Sequence, residues 1–550
     1  LYSYRYAFNG FAARMTPMQA QKLRARRQVA RVWEDRTRYL ATNDSPSFLG
    51  LFNASRGLRT ARGLDGSGVV IGIIDSGIAA EHPSFANPDQ RTLPRLCRSS
   101  WAEDTLLGMW LCFRWKHRDA QPEFPALAGW RGRCETGDRF TAGDCNGKIV
   151  GARYYIDGFL QTHRLDPNEF ISPRDADGHG THIASIAAGR EVRASIGGND
   201  VARISGMAPG ARIAVYKACW LEPGQTRGSC STADLQRAIE DAVADGVDII
   251  NYSVGNTDIS ISDPDDLALL AASDAGVLSV VAAGNDGPAP ATVLSPAAAP
   301  WVLTVGAASR AGTRFDPVMR VDSPVAIAGN YAFREASFTP PLRDAGPVAG
   351  ELVAVVDTVA EAGGGSFLDA CEPLANSAEI AGRIALLQRG LCTFETKLIN
   401  AERAGAIAVV VFDNEGGPIT MSGTRGSVNI PGVMISQADG ETILAQLNSG
   451  SVTVTLDYRL IESRTVAGDV VGDFSSRGPN PGAPDILKPD VMAPGIDILA
   501  AQTPDVANGL RGELFQYLSG SSMAVPHVAG VAALLKQAHP DWTPGALKSA

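Results

Sequence analysis

The chain of 550 residues carries 49 Lys and Arg against 59 Asp and Glu, a formal net charge of -10, with 45% apolar and 20% charged residues. That balance excludes a disordered chain, which is poor in apolar residues, and argues against binding to nucleic acid or an anionic membrane, since each needs a basic face. The apolar runs at 406–412 and 528–535 are far shorter than the roughly 20 residues that span a bilayer.

Residues 1–40 are Arg-rich. A helical stretch is predicted over 18–27 and a strand over 29–39, which by residue pattern alone make a small α+β module. A Gly-rich turn over 63–68 then feeds the apolar run Val69-Val70-Ile71-Gly72-Ile73-Ile74, which reads as a buried parallel strand ending at Asp75-Ser76-Gly77. Sites in open α/β sheets gather at the carboxyl ends of strands, although Asp75 also suits a turn. The Trp-, Arg- and Cys-rich stretch 79–176 reads equally as a substrate-side loop region and as a structural surface excursion. His82, His117 and His163 sit in it without a partner pattern.

Asp177-Gly178-His179-Gly180-Thr181-His182 opens an Ala-rich helix. An alternation of strands at 211–217, 247–252, 276–282 and 302–306 with helices at 232–245 and 265–275 implies a parallel sheet with right-handed crossovers. Ser253-Val254-Gly255 falls at one strand end and Gly284-Asn285-Asp286-Gly287 at another, where Asn285 also suits a turn. Beyond Ser309 the alternation breaks, and 350–460 has strands and a helix of its own. Pro- and Gly-dense blocks at 474–479 and 488–495 precede Ser519-Gly520-Ser521-Ser522-Met523-Ala524, a small-residue turn into an Ala-rich helix. Ser522 lies at that helix N-terminus, where a Ser is ordinarily a cap but where free N–H groups also favour negative charge.

Asp75, His179 and Ser522 together supply a carboxylate, a base and a hydroxyl, the three residue types that acyl transfer on serine requires. The three segments, with the Asn285 segment, resemble the signature regions of the subtilisin-like serine proteases, the subtilases, in their known chain order. The resemblance implies that Asp75 orients, His179 is the general base, Ser522 is the nucleophile, Asn285 donates to the oxyanion, and Ser253 and Gly255 bind the substrate backbone. It is strongest to the plant cucumisin-like branch. It also implies an α/β fold with a parallel sheet flanked by helices, divided into a propeptide remnant (1–41), a first peptidase part (42–335), an inserted β-rich protease-associated domain (336–460) and a second peptidase part (461–550). Cleavage of the propeptide is expected near 40–43.

The expected activity is therefore that of a secreted, self-processing serine endopeptidase acting on proteins or peptides, inhibited by its own propeptide and needing no cofactor, with the inserted domain either binding substrate ends or mediating a homodimer. No metal site is assigned, and calcium ligands are not identifiable. The absence of an initiator Met and the end at Ala550 within an apparent helix lead us to expect a segment of a longer precursor. The eight cysteines form local pairs, 97 with 112, 134 with 145, 219 with 230 and 371 with 392, which suggest disulfides and an oxidising compartment without fixing connectivity. Two alternatives stand beside this reading. One is a zinc-dependent hydrolase using Asp177, His179 and His182, although it lacks the H-E-x-x-H spacing. The other is a catalytically silent binding protein.

Overall fold

The computed structural model describes residues 2–4, 10–12, 16–24, 26, 29, 45–87, 124–125, 127–225, 227–359, 365–506 and 512–550. The chain divides into two compact units, Leu1–Ala41 and Thr42–Ala550. In the first, strands Tyr2–Tyr4 and Gly10–Ala12 pair antiparallel, with Tyr2 opposite Ala12. Helix Pro17–Arg24 follows. Its start is fixed by reciprocal bonds, Thr16 N–H to Gln19 Oε1 at 2.8 Å and Gln19 N–H to Thr16 Oγ1 at 3.3 Å, which satisfy donors that have no acceptor inside the helix. The strand expected over 29–39, Val29 apart, and the cleavage point at 40–43 lie outside the described residues.

The second unit is built on a seven-stranded sheet in the order Val491–Ile496, Leu303–Ser309, Leu278–Ala282, Ile249–Tyr252, Val70–Asp75, Arg212–Lys217, Ile149–Tyr154. All neighbouring pairs run parallel. Central parallel strands are covered on both faces, which is why residues 70–74 are an unbroken apolar run instead of alternating with polar ones. Alternate residues still go to opposite layers. Ile71 and Ile73 pack with Ile183 and Ala524, from helices His179–Ala188 and Ser521–Ala538. Val70 and Ile74 pack with Leu235 and Leu269, from helices Thr232–Asp245 and Pro264–Asp274. The strand and helix positions expected from the sequence agree with these within a few residues.

Between the sheet strands Leu303–Ser309 and Val491–Ile496 the chain builds a closed barrel, in the order Gly312–Ser323, Gly329–Glu335, Gly432–Ile435, Ala408–Phe412, Ile384–Gln388, Val348–Ala354, Val452–Val466. The expected division at 335/336 cuts through it. Gly312–Ser323 and Gly329–Glu335, assigned above to the first peptidase part, are barrel strands, and the last strand runs past 460 to Val466. Gly312–Ser323 is only half buried and carries charges on its open face, so it lacks the apolar run that marks a sheet strand locally. It pairs on one side with the next strand, Gly329–Glu335, and its other partner arrives much later in the chain: Gly312 lies opposite Val466 and Pro317 opposite Ile461, so the chain enters and leaves the barrel side by side.

Disulfides join Cys134 to Cys145, Cys219 to Cys230 and Cys371 to Cys392, the local pairs read from the sequence. Cys97 and Cys112 lie outside the described residues. Among the described residues no helix is long and apolar enough to cross a membrane.

Candidate active site

Asp75 ends its strand buried, at 3% exposure, and its Oδ1 accepts hydrogen bonds from the Ser76 N–H at 2.8 Å and, at 2.8 Å, from Nδ1 of His179. That second bond fixes the imidazole: Nδ1 carries the proton, and Nε2 is left as the basic nitrogen. His179 begins its helix after Gly178, whose φ of +96° only glycine adopts without strain. A side chain at Gly180 would strike the Gly77 carbonyl, with a Cβ only 2.3 Å from it, so this glycine lets the histidine turn approach the Asp75 turn. Burial alone would lower the His179 pKa. The Asp75 carboxylate overrides this by its charge and its hydrogen bond, helped by Asp177 and Asp175, and pushes it up to about 9.

Asp175, which the sequence reading passed over, holds the turn together. It is wholly buried. Its Oδ1 takes the Ser76 hydroxyl at 3.0 Å and the N–H groups of Asp177 and Gly178 at 3.0 and 2.8 Å, while Oδ2 takes the Thr181 N–H at 2.9 Å. The signal was an acid placed just before a helix start, the pattern of a capping residue. Asp177 accepts from the His179 N–H at 3.1 Å and the Gly228 N–H at 2.7 Å, and burial, only partly offset by His179, raises its pKa to about 6.

Ser522 lies in the first turn of helix Ser521–Ala538, 8% exposed, where N–H groups have no intrahelical acceptor. Its carbonyl accepts the Ser253 hydroxyl at 3.3 Å. Asn285 is oriented by Ser521: the Ser521 N–H and hydroxyl both donate to Asn285 Oδ1, at 2.8 and 3.1 Å. A backbone N–H demands an acceptor, so the amide oxygen is committed there and the NH₂ group is left for the cleft. Ser253 and Gly255 follow strand Ile249–Tyr252 outside any regular strand, which leaves a backbone edge for an extended peptide.

All six residues singled out in the sequence, Asp75, His179, Ser253, Gly255, Asn285 and Ser522, line one cleft of about 870 Å³. No hydrogen bond joins Ser522 Oγ to His179; a nucleophile–base bond of this kind is often long and tightens as substrate binds. The barrel contributes one part of the wall, including Arg314, Arg334 and Tyr458, which no local sequence signal marked.

The zinc alternative does not assemble. His182 is fully buried and its Nε2 is taken by the carbonyls of Ile498 and Gln516 at 3.0 and 3.3 Å, while His179 is committed to Asp75. Among the described residues the three donors that do converge are Asp357, Asp369 and Glu372, in the inserted region. His82 is likewise structural, bonded to the Leu514 carbonyl at 2.8 Å and accepting from the Ser84 N–H at 3.1 Å. His117 lies outside the described residues.

Residues 66–550 match the subtilase family, and residues 1–41 match the peptidase inhibitor I9 family. The chain is 34% identical over 576 residues to subtilisin-like protease SBT3.3 and 36% identical over 563 residues to subtilisin-like protease SBT1.6, both of Arabidopsis thaliana. Each alignment covers 100% of this chain and 66% of the relative, so the chain spans just under two thirds of their length. With its parallel sheet, its Asp75–His179 pair and its match over 66–550, the chain belongs to the subtilase family.

Proposed function

We propose that the protein is a serine endopeptidase made as a self-processing precursor. The observation that carries this is the 2.8 Å bond from His179 to buried Asp75 in the cleft that also holds Ser522. In this reading Ser522 Oγ attacks the peptide carbonyl, His179 Nε2 takes its proton and returns it to the leaving amine, and Asp75 stabilises the imidazolium without itself taking the proton. The Asn285 NH₂ and the Ser522 N–H bind the oxyanion, and the edge at Ser253 and Gly255 pairs with the substrate backbone. The chemistry needs no cofactor.

The inhibitor match at residues 1–41 supports a propeptide that occupies the enzyme until cleavage. Three disulfides support a secreted destination, because such bonds persist in oxidising compartments. The barrel is read as a protease-associated domain, with homodimerisation through it as the partner proposal. Ser522→Ala is the test. It should abolish peptide hydrolysis and release of the N-terminal segment while leaving the melting temperature within about 2 °C of wild type. A folded variant that still cuts peptides at near wild-type rate removes Ser522 from the mechanism.

A further inference from the structure

The barrel's side of the cleft is densely charged, and most of the charge is neutralised on the spot. Asp316 accepts from Arg314 Nε at 2.6 Å and Arg464 Nε at 2.9 Å. Asp497 accepts from the other ends of the same two guanidinium groups, at 3.0 Å for Arg464. Arg343 faces Glu513 at 3.4 Å, and Glu335 takes the Leu342 N–H at 2.8 Å.

Arg334 is left over. It lies on strand Gly329–Glu335, half-buried, lining the same cleft as Ser522. Its guanidinium has no hydrogen-bond or ion-pair partner among the described residues. Of the three guanidinium groups gathered here, Arg314 and Arg464 each contact both Asp316 and Asp497, and Arg334 alone contacts neither carboxylate. Burial and repulsion from Arg314, only partly offset by Asp316, lower its pKa, yet an arginine stays charged at any working pH. A desolvated, unpaired guanidinium is costly by itself and binds an incoming carboxylate strongly through its planar fork. The network is tied to the catalytic segment, since the Asp497 N–H donates to Ser519 Oγ at 2.9 Å, three residues before Ser522.

We propose that Arg334 receives an Asp or Glu side chain of the substrate, so that this peptidase selects peptides with an acidic residue at one position near the scissile bond. The proposal rests on the peptidase reading above. Its test is cleavage of a diverse peptide library by wild type, Ser522→Ala, Arg334→Gln and Arg334→Glu, with melting temperatures recorded alongside. Wild type should favour Asp or Glu over Gln or Asn at a single position by about tenfold in kcat/KM, the scale of one charge-assisted hydrogen-bonded pair. In Arg334→Gln that ratio should fall to near one, and in Arg334→Glu it should reverse in favour of Lys or Arg. Raising the salt should shrink the wild-type ratio. A library cut by wild type and not by Ser522→Ala, but with the same profile in Arg334→Gln, overturns the role of Arg334 and leaves the peptidase reading standing. A wild type with no acidic preference at any position does the same. A library that wild type leaves uncut overturns both.

Discussion

Two carboxylates are buried to nearly the same degree and meet opposite neighbours. Asp75, 3% exposed at the end of a sheet strand, faces the imidazole of His179; Asp357, 2% exposed in the inserted region, faces Asp369 and Glu372, the donor oxygens of these three lying within 4.8 Å of one another. Burial penalises a charge, and what sits beside it decides how the penalty is met. In the sheet domain an acid is set against a base, and the His179 pKa rises to about 9. In the inserted region the charged neighbours of Asp357 are other acids, offset only by the Ala370 N–H that donates to its Oδ2 at 2.9 Å. Burial first, then its hydrogen bond and repulsion with Asp369, raise its pKa to about 7, so it keeps a proton that an exposed aspartate would have lost. One site is arranged to move a proton and the other to hold one.

Both groups bind protons more tightly when folded, so each contributes stability that is lost as pH rises, but in different windows. The Asp357 contribution is complete below 3.8 and gone above about 7. The His179 contribution is complete below 6.5 and gone above about 9. The inserted region should therefore weaken first as a solution is made alkaline.

The largest expected effect isolates the sheet site. If Asn285 is the proposed oxyanion donor, Asn285→Ala should lower kcat by roughly a hundredfold to a thousandfold, the range known for the corresponding donor of subtilisin, with KM nearly unchanged. An unchanged kcat, or a loss that follows the melting temperature, would make Asn285 a turn residue only. Next, because the base must be neutral to act, kcat/KM of the free enzyme should rise about tenfold per pH unit up to a limb near 9 set by His179. A limb at the ordinary imidazole value would mean that the Asp75 pairing does not control the base. The smallest effect belongs to the inserted region: Asp357→Asn should raise the melting temperature at pH 8 by about 2–4 °C, leave it unchanged near pH 4, and leave kcat/KM alone. Equal pH slopes of stability in variant and wild type would assign that window to another group.

The two regions also differed in how far they could be read from sequence. Asp75, His179, Asn285 and Ser522 each sit where an apolar run or an Ala-rich helix meets a turn, so the local pattern alone places them at strand ends and helix starts. Their convergence followed from a parallel sheet, which gathers its carboxyl ends on one edge. Asp175 was missed because its role is to accept bonds from four neighbours in three dimensions. The barrel's first two strands were missed for a related reason. Gly312–Ser323 and its neighbour Gly329–Glu335 have the half-exposed, charge-bearing pattern of surface strands, and the partner that closes the barrel on the first of them, Val452–Val466, lies far away in sequence. Arg334 carried no signal, since an isolated arginine on a half-buried strand becomes informative only when its neighbours' ion pairs are known.

The paired strands at the base of the barrel, where Gly312 lies beside Val466, bring the two connections to the sheet domain together. An insertion whose ends meet imposes almost no geometric demand on its host, because a short turn could bridge the same gap. The covalent joint therefore leaves the barrel free to vary like a cassette, and what couples its sequence to the catalytic segment is side-chain bonding, such as the Arg314 and Arg464 contacts to Asp497 that sit one hydrogen bond from Ser519.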